Sequence, residues 1–187
     1  IASFNVISTT GNCAGTSSFT MSNTSSNLVS PTYFWQFGNG STDVVANPSI
    51  NYSPPGFYTV RLSVTNSNGC VDTAIQFVTV AAKPSVGFTV NKASQCLNNN
   101  SFVFTPSVSN PAIASYVWSF GDGNTSTLTN PNHTYATQGT YTIKLVATNA
   151  NGCKDSVSQN VSIATKPVAA YTLNTTTQCA GGSNFVF

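Results

Sequence analysis

The chain reads as an all-β protein built of tandem two-sheet sandwiches. Three observations predict this: a repeat of 83 residues, short runs alternating apolar and polar residues, and tight-turn pairs after the strongest of those runs. Cys13, Cys96 and Cys179 stand 83 apart, as do Phe19, Phe102 and Phe185, Trp35 and Trp118, Gly69-Cys70 and Gly152-Cys153, and Lys83-Pro84 and Lys166-Pro167. One residue of slack falls before Cys13, because Phe4 lies nine positions upstream of it while Phe88 and Tyr171 lie eight upstream of theirs. A period of that length describes a small domain copied in tandem. The copies run over 1–82 and 83–165, and a third begins over 166–187 with its first two strands only. Two strands cannot bury a core, so the repeat is expected to continue past Phe187.

The elements follow in order within each copy. The first strand carries Phe4 and Val6, or Val86, Phe88 and Val90; the second carries Phe19 and Met21, or Phe102 and Phe104, with Phe185 and Phe187 in the third copy. A third strand sets Tyr33, Trp35 and Phe37 on one face, matched by Tyr116, Trp118 and Phe120. A late strand reads Tyr58, Val60, Leu62 and Val64, or Tyr141, Ile143, Leu145 and Ala147, and the last offers Ala74, Val78 and Val80, or Val157, Val161 and Ile163. Asn39-Gly40 and Asp122-Gly123 follow the Trp strand, and Asn68-Gly69 and Asn151-Gly152 follow the Tyr strand. Such pairs suit hairpins because both residues tolerate positive φ. No helical period is present, and roughly seven short strands in about 80 residues make a two-sheet sandwich.

Cys13 and Cys70 are 57 residues apart, and so are Cys96 and Cys153. The absence of a C-x-x-C element argues against zinc and redox chemistry and for one structural disulfide per domain. The expected pairs are therefore Cys13–Cys70 and Cys96–Cys153, with Cys179 unpaired within this sequence. In an up-and-down or Greek-key course, the connection holding Cys13 and the hairpin holding Cys70 fall at the same end of the sandwich. Such bonds imply an oxidising compartment outside the cell.

Composition excludes several functions. Only 5% of residues are charged and the net charge is +2, against roughly 25% charged in ordinary soluble domains. With no Lys/Arg cluster, nothing focuses a field on nucleic acid or acidic membrane, and no apolar run approaches the ~18 residues of a bilayer span. Asp43, Asp72, Asp122 and Asp155 are the only acidic residues, and no two have paired-carboxylate or calcium-loop spacing. No serine has a G-x-S-x-G context. His133, the single histidine, is replaced by Ile50 in the first copy and reads as a side chain over the core edge. No catalytic residue, metal ligand or cofactor site is expected.

Trp35-Gln36-Phe37-Gly38-Asn39-Gly40 and Trp118-Ser119-Phe120-Gly121-Asp122-Gly123 resemble the W-x-F-G-D-G signature of polycystic-kidney-disease (PKD) repeats. The rest of that signature follows: Asn47-Pro48, Tyr52, Gly56, Tyr58 and Asn66, then Asn130-Pro131, His133, Tyr135, Gly139, Tyr141 and Asn149. The first copy departs at Asn39 and Ile50. The resemblance implies an immunoglobulin-like sandwich with Trp35, Phe37, Tyr58, Trp118, Phe120 and Tyr141 as its core signature, used extracellularly as a spacer or interaction module. The cysteine-bearing variety with an N-G-C hairpin is similar to repeats strung along large surface adhesins of gliding bacteria that export through the type IX route. That implies a non-enzymatic rod on a bacterial cell surface carrying an adhesive region outward. The alternative is the accessory region of a secreted hydrolase that holds a catalytic domain near a polymer.

Ala81-Ala82-Lys83-Pro84 and Ala164-Thr165-Lys166-Pro167 join the copies with little slack, and proline fixes one backbone angle. Neighbouring repeats of the same chain are therefore the first expected partners, with a surface polymer or a lateral protein as further ones. Phe34, Ile75 and Phe77 stand where the second copy has Val117, Ser158 and Asn160, on the face pointing away from the core; together they mark a possible contact patch. Asp72-Thr73-Ala74 and Asp155-Ser156-Val157 resemble the acceptor tripeptide for O-linked glycans in the same bacterial group, which makes Thr73 and Ser156 candidate glycosylation sites.

Overall fold

A computed structural model describes residues 1–8, 12–109 and 112–172; the expected third-copy strands around Phe185 and Phe187, and Cys179, lie outside the described residues. The first domain contains β1 (Phe4–Ser8), β2 (Ser18–Asn23), β3 (Thr32–Gln36), β4 (Thr42–Asp43), β5 (Ser49–Asn51), β6 (Gly56–Thr65) and β7 (Val71–Val80). These form two sheets, β1-β2-β5 and β4-β3-β6-β7. The second domain contains β8 (Ser85–Val90), β9 (Ser94–Cys96), β10 (Phe102–Ser109), β11 (Ile113–Ser119), β12 (Thr125–Ser126), β13 (Asn132–His133), β14 (Gly139–Asn149) and β15 (Lys154–Ala164), in sheets β13-β10-β8 and β12-β11-β14-β15-β9. No helix occurs among the described residues, and the sandwiches are immunoglobulin-like.

Period-two alternation decides which residues turn inward, as a pleated backbone requires. On β6, Val60, Leu62 and Val64 are buried while Phe57, Thr59 and Arg61 are exposed. Trp35 and Trp118 are fully buried between the sheets, and each indole N–H donates to a carbonyl, Val45 at 2.9 Å and Leu128 at 3.0 Å. Phe4 and Phe88 meet them edge to face, with ring centroids 4.9 and 5.1 Å away. Below each indole, a buried tyrosine ties the sheets together: Tyr52 Oη donates to the Phe37 carbonyl and Tyr135 Oη to that of Phe120, both at 2.8 Å. Tyr58 and Tyr141 stack on those phenols at 4.0 and 3.9 Å.

Among the described residues pairing is antiparallel except at one place in each domain. After β8 the chain crosses to the other sheet, and β9 lies parallel to the end of β15, with Cys96 opposite Ala164. Among the described residues of the first domain the last rung of this ladder recurs, a parallel bridge between Cys13 and Ala81. In both copies the first cysteine is therefore carried to the C-terminal end of the last strand.

That placement overturns the expected disulfides. Cys70 immediately precedes β7 and Cys13 sits beside its far end, so the ten residues of β7 separate them, a span of roughly 30 Å at the rise of a strand. A disulfide needs Cα atoms within about 7 Å, so Cys13–Cys70 cannot form in the folded domain, and β15 separates Cys96 from Cys153 in the same way. The bond that exists is Cys13–Cys153, with Cα atoms 5.6 Å apart and a sequence separation of 140. Cys70 and Cys96 are free and exposed.

Candidate functional site

The joint between the domains is the most specifically built site in the molecule. From the first domain comes the turn after β1. Cys13 is 8% exposed, its N–H donates to Ser17 Oγ at 2.9 Å, and Ala14 N–H donates to the Ala81 carbonyl at 2.9 Å. These bonds hold the cysteine against the last rung of β7, at the place where the connecting segment leaves the domain.

From the second domain comes the β14–β15 hairpin, Asn149-Ala150-Asn151-Gly152-Cys153. Asn149 organises it: Oδ1 accepts from the N–H groups of Asn151 at 3.0 Å and Cys153 at 2.9 Å, while its own N–H donates to the Cys153 carbonyl at 2.9 Å. Its remaining amide group crosses the joint, Nδ2 donating to the Ala82 carbonyl at 2.9 Å. Asn149 is 2% exposed and Cys153 fully buried. One covalent bond and one buried hydrogen bond thus clamp the hairpin of the second domain to the end of the first. Pro84, between them in sequence, is buried as well. An orphaned buried polar group costs about 1–3 kcal/mol, so a swivel that broke the Asn149–Ala82 bond would be resisted by more than the disulfide.

The remaining candidates are dispersed. His133 Nε2 lies 2.7 Å from Asp122 Oδ2, and its ring stacks on Phe120 at 4.1 Å. Burial pushes the Asp122 carboxyl upward, but the Asn124 N–H, the His133 ring and the Asn124 amide outweigh it and leave the group below its ordinary value. The pair closes the Gly121-Asp122-Gly123 turn over the core edge. In the first domain Asn39 bonds Ser41 instead, and Ile50 takes the histidine's place opposite Phe19. Burial, and then the neighbouring Tyr58, push the Tyr52 phenol up to about 12. Burial likewise raises Tyr135, so both hydroxyls stay protonated and donating. Among the described residues no group of three His, Cys, Asp or Glu side chains could hold a metal ion.

Phe34, Ile75 and Phe77 are 44%, 54% and 75% exposed on the outer face of the β4-β3-β6-β7 sheet. Phe57 of β6, 87% exposed, stands diagonally across from Phe77 and belongs to the same face; alternation on β6 was the signal that would have found it. Thr73 and Ser156 are exposed. The carboxylates beside them turn back to the backbone, Asp72 accepting from Ala2 and Thr73 at 2.8 and 2.9 Å, and Asp155 from Ser156 at 2.8 Å. These bonds, Ala2 first, lower the Asp72 carboxyl. Asn149 was legible only as a signature residue; its reach to Ala82 depends on how the domains stack.

The fold and joint define a class: tandem immunoglobulin-like sandwiches coupled end to end by a disulfide. A family model described as PKD domain matches residues 5–80 and again 81–165, and the chain belongs to that family. Among curated proteins, it is 43% identical over 61 residues to a pre-pro-metalloprotease of Vibrio cholerae, covering 33% of this chain and 6% of the relative. It is 40% identical over 58 residues to a collagenase of Bacillus cereus, covering 31% of this chain and 6% of that protein. The matching stretch is therefore a small fraction of those relatives. Among solved structures, the PKD1 domain of the Vibrio cholerae metalloprotease is similar at 29% identity with a TM-score of 0.40, over 44% of this chain and 99% of that domain.

Proposed function

We propose that the two domains are a non-catalytic, extracellular spacer whose joint is locked so that it holds another region of the same protein at a fixed distance and angle. The observation that carries this reading is the Cys13–Cys153 bond with the Asn149–Ala82 hydrogen bond beside it. Hinged domains are the default for small interdomain contacts, and this chain spends two cysteines and a buried amide on removing the hinge. The collagenase and metalloprotease relatives favour the accessory region of a secreted hydrolase. The near-exact 83-residue period and the covalent joint favour a second reading, a repeated stalk of a surface adhesin. The sequence of the whole parent protein separates the two: a catalytic domain near these repeats supports the first, a long run of further copies the second.

The experiment for the spacer itself is a distance distribution between spin labels placed one on each domain. A single narrow distribution that broadens in Cys13→Ser/Cys153→Ser is the expected result, and equal breadth in both proteins would refute a locked joint. O-linked glycans on Thr73 and Ser156 would supply hydration that so few charges leave wanting. Intact mass of material from its natural source, equal to the bare polypeptide, would exclude them.

A further inference from the structure

The two free cysteines among the described residues are the same two positions as the bonded pair, each taken from the other domain. Cys96 is the copy of Cys13, and Cys70 is the copy of Cys153. We infer that Cys96 and Cys70 are the unfilled halves of further interdomain disulfides, Cys96 taking the hairpin cysteine of the domain that begins at Lys166, and Cys70 the turn cysteine of a PKD domain stacked on the other end. This assignment is independent of whether the array carries a hydrolase or an adhesive region.

The comparison is internal and like for like. Cys96 has the same parallel rung to Ala164 that Cys13 has to Ala81, so its position is already set by the sheet. Asn66 already makes the hairpin bonds of Asn149, Oδ1 accepting from the N–H groups of Asn68 and Cys70 at 3.0 Å each. The Asn149 amide nitrogen finds the Ala82 carbonyl; that of Asn66 has no acceptor among the described residues. Burial changes in step with occupancy. Cys13, Pro84, Asn149 and Cys153 are buried at the filled joint, while Cys96, Pro167 and Cys70 are exposed and Asn66 is half-buried at the two open ends. Beside Cys96, Leu97, Asn98, Thr165, Lys166, Pro167 and Val168 line a groove of about 580 Å³. Thr165 is the copy of Ala82, whose carbonyl the docked hairpin bonds at the filled joint. The groove therefore opens where the next hairpin belongs.

Closure is an oxidation. The two thiols lose two protons and two electrons to a disulfide oxidant, oxidised glutathione in the test, which leaves as two reduced thiols while one S–S bond forms. Repeated along an array, bonds of this kind link each domain to the next, so no domain carries a bridge of its own.

The test repeats residues 1–82 after Pro167, with Cys70→Ser in the original first domain and Cys13→Ser in the added copy, so that four distinguishable cysteines remain. After refolding with glutathione, a non-reduced digest is expected to show Cys13–Cys153 and Cys96 joined to the added Cys70, with complete loss of alkylatable thiol. Cys13–Cys153 reports in the same molecule that the original joint has folded. Its presence with Cys96 still alkylated, or Cys96 joined to Cys153, would overturn the assignment. A second measurement uses the 187-residue chain carrying Cys179→Ser, oxidised at rising concentration. Head-to-tail links between Cys96 of one copy and Cys70 of another should dominate; equal amounts of Cys96–Cys96 and Cys70–Cys70 links would overturn it too.

Discussion

Gly38 and Gly121 show how a signature residue earns its place. Each has φ near +80°, and a Cβ added there would sit 2.8 Å from backbone atoms of Thr59 or Thr142 on the neighbouring strand. Gly121→Ala is expected to cost about 1–3 kcal/mol from the backbone conformation alone, with the clash against β14 adding to it; a denaturant midpoint unchanged from wild type would remove the glycine from the structural account. The next residue supplies a pH test. Asp122 is held below its ordinary value, so its contribution is present above the unfolded carboxylate range and is lost as the pH falls through the folded value. Between about pH 4 and pH 2, stability should therefore fall less steeply in Asp122→Asn than in wild type, as followed by denaturant unfolding at each pH. Wild type and variant showing the same slope would mean the His133 and Asn124 contacts do not act on the carboxylate. Sequence reasoning placed His133 over the core edge and Asp122 in its turn. Their pairing was not legible, because a sequence separation of 11 says nothing of which side chains a turn brings together.

Strands were far more legible than their ends. The alternation in β3, β6 and β7 and their copies is imposed by burial on one face, and a slip of one residue would expose Trp35 or Trp118, so the inward residues follow from pattern alone. Nothing in a period-two pattern says which end of a sandwich a connection occupies. That is why equal 57-residue spacings suggested a bond within each domain, whereas the crossover that lays Cys13 and Cys96 along the far end of the last strand forbids it. The pattern does bear on the outer face. Phe34 and Phe77 point away from the core, so Phe34→Ser with Phe77→Ser should shift folding stability by no more than about 0.5 kcal/mol. If this face meets a partner, the same double change should weaken that contact in a binding or assembly measurement. Unchanged assembly at unchanged thermal stability would leave the aromatics as ordinary exposed residues.

At the scale of the whole molecule, the joint determines how the chain carries load. Tension applied at the two ends of the 187-residue chain reaches Cys13 and passes through the disulfide directly to Cys153, by-passing the segment between them, a sequence separation of 140, and hence most of both sandwiches. A bond within each domain would behave differently, because the 26 residues from Cys70 to Cys96 would then lie in the loaded path and could release roughly 90 Å at the reach of an extended chain. In single-molecule pulling with handles at the termini, the oxidised protein is therefore expected to show no domain-unfolding step between Cys13 and Cys153. After reduction both sandwiches enter the loaded path, and the separation of 140 should add roughly 500 Å of contour at about 3.6 Å per residue, released in two events because there are two cores. Steps in the oxidised protein that release the residues of each domain would place the load on the sandwiches rather than on the bond. The outcome also bears on the role of the fold. In the oxidised state the strands left in the loaded path are β1 and β15, which flank the bond, while the segment between Cys13 and Cys153 is spanned by it.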